Sequence, residues 1–164
     1  MNTIWIIAKR EFTAYFTSPI AYVYLVAFLA VTGWIFFRTF FLIGQADLRV
    51  LFGVMPWVFL FFVPAVAMGK WADERRQGTL ELLLTFPIRD RDVVLAKFAA
   101  GMGLIATALL LTLPVAFTVA ALGDLDWGPV IGGYLGLLFL GGAYLAVGLA
   151  ASALTQNQIV AFIA

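Results

Sequence analysis

Asp73, Glu74 and Glu81 are the residues whose spacing comes closest to a reactive cluster, since grouped carboxylates are what general acid–base work requires. They alternate with Arg75 and Arg76, whose charges hold carboxyl groups ionised instead of letting two of them share a proton. The sequence contains no histidine and no cysteine. Those absences remove the Ser-His and Cys-His nucleophile systems, zinc and thiolate metal sites, disulfides, and the usual general base near neutral pH. No G-x-x-x-x-G-K-[ST] phosphate loop occurs, and Gly69-Lys70 lacks both the upstream glycine and the following hydroxyl. The chain therefore reads as neither catalytic, cofactor-binding nor metal-binding, and any ATP it depends on must be held elsewhere. Its cations are interleaved with carboxylates and form no basic run, which points away from nucleic acid.

What these residues suit instead is docking. Residues 70–97, K-W-A-D-E-R-R-Q-G-T-L-E-L-L-L-T-F-P-I-R-D-R-D-V-V-L-A-K, carry eleven of the nineteen charged side chains in the chain. Gly78 breaks the polar run, Thr79 is placed to cap a short helix over 79–85, and Pro87 stops it. Asp90 is then placed to cap the next helix, with Asp92 in its first turn, where a negative charge complements the helix dipole. The short helix turns Leu82 and Leu83 toward lipid or neighbouring helices and leaves Arg75, Arg76, Glu81 and Arg89 for a partner. A plain solvated loop would account for the charges and not for the leucines, whereas a docking surface accounts for both.

The elements that must position this stretch are membrane helices. Among 164 residues, 64% are apolar and 12% charged, with a mean hydropathy of +1.05, whereas charged residues make up about a quarter of a soluble domain. The fold class is all-α, a polytopic integral membrane helix bundle. Residues 1–18 are not a signal peptide, because Lys9 and Arg10 precede a full-length apolar run and not a short one with a cleavage site. On a helical wheel Ile4, Trp5, Ala8, Phe12, Tyr15 and Phe16 share one third of the circumference, with Arg10, Thr13 and Thr17 opposite. This predicts an amphipathic helix lying in the membrane interface, with Lys9, Arg10, Glu11, Phe12 and Phe16 as its interfacial residues and Ile6 and Ile7 as imperfections.

Pro19 separates that helix from four expected spans, at about 20–43, 50–69, 98–122 and 130–154. Arg38 is expected to snorkel near the far end of the first, and Trp34 and Trp57 to sit at the outer interface. Pro64 predicts a kink in the second span, because it cannot donate to the carbonyl of Leu60. In the fourth span Gly132 and Gly136, and likewise Gly148 and Ser152, are four apart and put small residues on one face, which permits close helix packing. A polar break over 155–158 leads to a new apolar run at 159, a fifth span that is cut off at Ala164, so the chain is expected to continue.

Eight of the ten cations, Lys9, Arg10, Lys70, Arg75, Arg76, Arg89, Arg91 and Lys97, fall on one side of this arrangement, against Arg38 and Arg49 on the other. By the positive-inside rule the N-terminus and the charged stretch 70–97 are cytoplasmic, and the turn with Asp124 and Asp126 lies outside.

The run W-A-D-E-R-R-Q-G-T-L-E-L-L-L-T-F-P-I-R-D-R-D-V-V-L-A-K-F-A-A resembles the cytoplasmic segment between the second and third helices of ABC-2 type transporter permeases. The opening A-K-R-E-F-T-A-Y-F-T-S-P-I-A-Y-V and the ending A-L-T-Q-N-Q-I-V-A-F-I-A resemble in particular the permeases of gliding-motility-associated ABC exporters. The resemblance implies a transmembrane domain over 20–164 with six helices per full copy. It also implies two copies per transporter, as homo- or heterodimer in the inner membrane, and separate cytoplasmic ATPase subunits that hold ATP and Mg. Carried onto this sequence, it makes Glu74, Arg75, Arg76, Gly78, Thr79, Glu81, Leu82, Leu83 and Pro87 the region that receives motion from the ATPase. The competing reading is a membrane anchor that recruits a cytoplasmic protein and moves nothing. A secondary transporter would need an ionisable group in mid-span, and the four spans offer none.

Overall fold

The computed structural model describes residues 3–17, 19–43, 47–76 and 89–154, with the side chains of residues 3, 20, 43, 68–76 and 90 excepted. Among the described residues the chain is helical and contains no strand. Its helices are α1 (Thr3–Thr17), α2 (Pro19–Ile43), α3 (Arg49–Arg76), α4 (Asp90–Leu122) and α5 (Trp127–Leu154). Four of them, α2 to α5, are long and apolar enough to cross a membrane.

Each of these long helices buries one narrow stripe. In α2 it is Ala21, Leu25, Phe28, Thr32 and Phe36, in α3 Leu51, Met55, Val58, Phe59, Val63, Val66 and Ala67, all at helical spacing. Between 28% and 39% of each span is buried, and the remainder is apolar and outward: Phe41, Trp57, Phe139 and Leu154 are among the most exposed side chains. A soluble protein does not turn so much hydrocarbon outward; a bilayer is the solvent that accepts it.

α5 packs most heavily on α3, and α1 on α4, while α2 closes on α3. An aromatic group locks the last of these contacts: Phe28 stacks on Phe59 with centroids 6.0 Å apart, and Phe28 and Tyr24 meet Phe62 edge-on at 5.6 and 5.5 Å. The pair α3 and α5 approaches closely where glycine removes side-chain bulk. A Cβ on Gly148 would stand 2.8 Å from the Ala67 Cβ, one on Gly141 3.2 Å from Phe59, and one on Gly133 would collide with the Phe52 ring; toward α4, a Cβ on Gly141 would also stand 2.9 Å from Ile105.

The helix ends depart from the expected capping. Arg89, not Asp90, is the residue flanking α4; its backbone is extended and no side chain caps the first turn. Asp90 belongs to the helix itself, and the backbone bond from the Asp92 N–H to the Arg89 carbonyl, 2.8 Å, tightens that end. Asp126 caps α5: its Oδ1 accepts the Gly128 N–H at 3.0 Å, the N-cap geometry. Just ahead of α3, Asp47 accepts the Arg49 N–H at 2.9 Å and pairs with the Arg49 guanidinium at 3.3 Å. Across Pro56 and Pro64 α3 stays one continuous helix, and across Pro114 so does α4.

Candidate functional site

Two features of the charged stretch fall within the described residues. α3 does not stop at the end of its apolar run but continues as helix through Arg76, so Glu74, Arg75 and Arg76 lie on its last turns. α4 starts at Asp90 and runs without interruption to Leu122. Gly78, Thr79, Glu81, Leu82, Leu83 and Pro87, with the short helix expected over 79–85 and the fifth span from 159, lie outside the described residues.

The first turns of α4 are where α1 docks. Ile4, Ile7, Ala8, Glu11, Phe12, Tyr15 and Phe16 form its inward side, with Ala8 fully buried. Trp5, placed on the apolar face by the wheel, is instead 67% exposed, and Ile7 takes its place inward. The reason is that α1 does not spend its apolar face on lipid; it packs it against α4. Phe12 lies over Gly103, so close that a Cβ there would be 2.9 Å from the ring, and Phe12 meets Phe16 at 5.0 Å between centroids. Phe16 reaches on to Tyr22 of α2, 6.2 Å away.

Within this contact lies a buried charge pair. The Lys97 Nζ stands 3.8 Å from the Glu11 Oε1, with the lysine side chain 1% and the glutamate side chain 20% exposed. At that separation it is Coulombic attraction across a medium poorer in water than the surface, not a short hydrogen bond. One turn further along α1, burial pushes the Tyr15 phenol well above its ordinary pKa, and the Glu11 carboxylate and the Tyr24 phenol add to the shift. Lysine and tyrosine thus meet one carboxylate that faces inward from a helix otherwise apolar on that side.

Sequence reasoning counted Lys97 as the end of the charged stretch and assigned it nothing. Its signal was its setting: a lone cation one turn inside V-V-L-A-K-F-A-A, where no water-facing role suits it. Glu11 carried a matching signal, being three residues after Ala8 and four before Tyr15 and so on their side of the helix.

The remaining sequence-derived positions divide. Lys9 and Arg10 are exposed on the outward side of α1. Gly148 and Ser152 are buried on the side of α5 that meets α3. Gly132 and Gly136 are exposed, and a Cβ at either would meet nothing within 4 Å. Within α5 the close approaches therefore fall at Gly133, Gly141, Gly142 and Gly148, with Ser152 buried one turn beyond, while Gly132 and Gly136 open outward.

These helices define a multi-pass α-helical membrane protein with an amphipathic N-terminal helix clamped to the start of a long span. Residues 45–164, which take in α3, the charged stretch, α4 and α5, match the family model described as ABC-2 family transporter protein. The chain belongs to that family, and is thus a membrane permease component of an ABC transporter. No curated protein matches it. Membership implies, in general terms, association with an ABC ATPase and a membrane dimer.

Proposed function

We propose that this chain is the permease subunit of an ATP-driven exporter, in which a separate cytoplasmic ATPase holding ATP and Mg acts on residues 74–87 and thereby tilts α4. The single observation behind this reading is mechanical. α4 emerges directly from the charged stretch and is one continuous helix to Leu122, and the buried Lys97–Glu11 pair binds α1 to its first turns. A push that reaches Asp90 meets no break in the helix before Leu122. It carries a 33-residue rod, about 50 Å long, and α1 with it.

In this reading Glu74, Arg75 and Arg76 extend from α3 toward the ATPase, and Gly78, Thr79, Glu81, Leu82, Leu83 and Pro87 form the surface it grips. The N-terminus and 70–97 face the cytoplasm, the membrane is the inner one, and a second copy, identical or homologous, completes the transport path. The finer likeness to gliding-motility exporters belongs to this reading as well and rests on the opening and ending sequences alone.

The experiment replaces Arg75 and Glu81 by alanine in the full-length protein and measures co-purification of the ATPase and the ATP hydrolysis that depends on the permease. Loss of both, with the permease still folded in the membrane, is the expected result. Unchanged assembly and unchanged coupled hydrolysis would overturn the assignment. Retained assembly with hydrolysis indifferent to the permease would favour the anchor instead.

A further inference from the structure

The outward side of α1 carries no role in the coupling reading, and its chemistry is distinct from that of the spans. We propose that it is a binding surface for anionic glycerophospholipids of the adjacent leaflet, with Lys9 and Arg10 as the phosphate-binding groups and Trp5 and Ile6 as the acyl-side contact.

Depth is the first argument. α1 is seated against Lys97 and Gly103 of α4, the stretch in which α4 passes from Arg91 and Asp92 into uninterrupted apolar sequence. Its outward side is thereby held at the polar-to-apolar boundary, where phosphates and the first acyl carbons meet. Charge is the second. Lys9 and Arg10 are exposed, and neither has an ion-pair partner among the described residues. Glu11, the carboxylate next to them in sequence, is turned inward to Lys97, so the outward side is left with cations only. Shape is the third. The outward side is an open face of one helix, free for a headgroup to approach, with Trp5 and Ile6 at one end, Lys9 and Arg10 midway, and Thr13 and Thr17 at the other.

The two hydroxyls on that face are already committed, Thr13 donating to the Lys9 carbonyl at 2.8 Å and Thr17 to the Ala14 carbonyl at 3.0 Å. The ammonium and guanidinium are therefore the donors available to a phosphate, and the arginine can grip two of its oxygens at once. Trp5 is 67% and Ile6 52% exposed, an aromatic ring and a branched chain beside two cations, which is the composition of a surface shared between headgroups and acyl chains. Lys9 and Arg10 call for an anionic group, and Trp5 and Ile6 beside them, at the depth that α4 sets, call for an apolar one. An anionic lipid satisfies both.

This surface goes beyond the coupling role and stands without it, because it needs no ATPase. The test uses the full-length protein in nanodiscs, with any cysteine beyond the cysteine-free residues 1–164 replaced by serine. Ala14→Cys places a bimane fluorophore on that face, and brominated phosphatidylglycerol or brominated phosphatidylcholine, at equal mole fraction, quenches it on contact. The expected result is several-fold stronger quenching by the anionic lipid, falling to parity in Lys9→Gln/Arg10→Gln, with each cation contributing on the order of fivefold in local enrichment. Raising salt from about 0.05 to about 0.5 M should shrink the preference in the parent protein, a measurement that does not rely on the double variant folding. Equal quenching by both lipids in the parent, or a preference that survives the double substitution or high salt, would overturn the proposal. So would loss of quenching by either lipid when the ATPase subunit is added, since the face would then belong to a protein.

Discussion

Lys97 on α4 and Glu11 on α1 face each other at 3.8 Å with the lysine all but excluded from solvent, and they are the electrostatic tie between the N-terminal helix and the span that follows the charged stretch. Breaking a buried pair from one side is costly, because the survivor keeps its desolvation and loses its partner. Glu11→Gln should therefore destabilise the docked α1 by about 3–5 kcal/mol, and Lys97→Met by less, since the partly exposed glutamate regains water. In the double variant Glu11→Gln/Lys97→Met the two losses should fall short of additive by roughly 1–3 kcal/mol. Thermal unfolding in detergent, with limited proteolysis after α1, measures the cycle; strict additivity would mean that the pair contributes nothing.

The contact of Phe12 with Gly103 tests the same docking without touching a charge. A Cβ at Gly103 would stand 2.9 Å from two ring carbons, so a branched side chain must turn the phenyl out of its seat. Gly103→Val should release α1 to protease while leaving the α3–α5 contact intact, at a cost of about 1–3 kcal/mol. Phe12→Ala in the Gly103→Val background should recover part of the loss, because it reopens the space. Equal protease resistance in Gly103→Val and the parent would show that α1 is held by other contacts.

How far this architecture was legible in sequence depended on which physical question was asked. A run such as 20–37, eighteen residues without a charge, has no stable place except across a bilayer, so the existence and rough bounds of the spans follow from length and hydropathy. Which face of a span turns inward does not follow, because lipid and protein interior are equally apolar. In α5 the buried Leu137 and Leu145 and the outward Leu135 and Leu154 are the same residue type. Small residues were the one available mark, and they marked both sides: Gly148 meets Ala67, while Gly136 meets nothing, since smallness permits an approach without demanding it. In α1 the wheel grouped Trp5 with the buried side chains because it weighed hydrophobicity alone. It held no information on α4, against which the docked face includes Glu11, opposite Lys97, and Ile7, while Trp5 is turned out.

The two kinds of glycine in α5 lead to opposite expectations. At Gly148 the neighbouring atom is the Ala67 Cβ, fixed to its backbone 2.8 Å away, so the helices themselves must part. Gly148→Ala should cost about 1–3 kcal/mol in thermal stability, and Ala67→Gly should restore most of it by removing the opposing methyl. Gly136→Ala, with open space around it, should leave the stability of the single chain unchanged or improve it by up to about 1 kcal/mol through helix propensity. If the outward face holding Gly132 and Gly136 packs against a second copy, Gly136→Leu should weaken dimerisation, read by crosslinking, and leave the unfolding of the monomer alone.

Tyr15 gives the docking of α1 a pH dependence. Its phenol is raised from the ordinary 10.0, first by burial and then by the Glu11 carboxylate and the Tyr24 phenol, so the docked state keeps a proton that a released α1 gives up. Above the ordinary phenol pKa the released state is the one that binds fewer protons, and each further rise in pH favours it. The contribution of Tyr15 to docking is therefore complete below about pH 10 and is lost as the pH climbs through the raised value of the docked state. Proteolytic release of α1, followed in detergent from about pH 8 to about pH 11, should accelerate at the alkaline end in the parent protein. Tyr15→Phe keeps the ring in its place beside the bundle and removes the proton, so it should flatten that alkaline rise without loosening α1 at pH 8. A rise that persists undiminished in Tyr15→Phe would assign the alkaline release to another group.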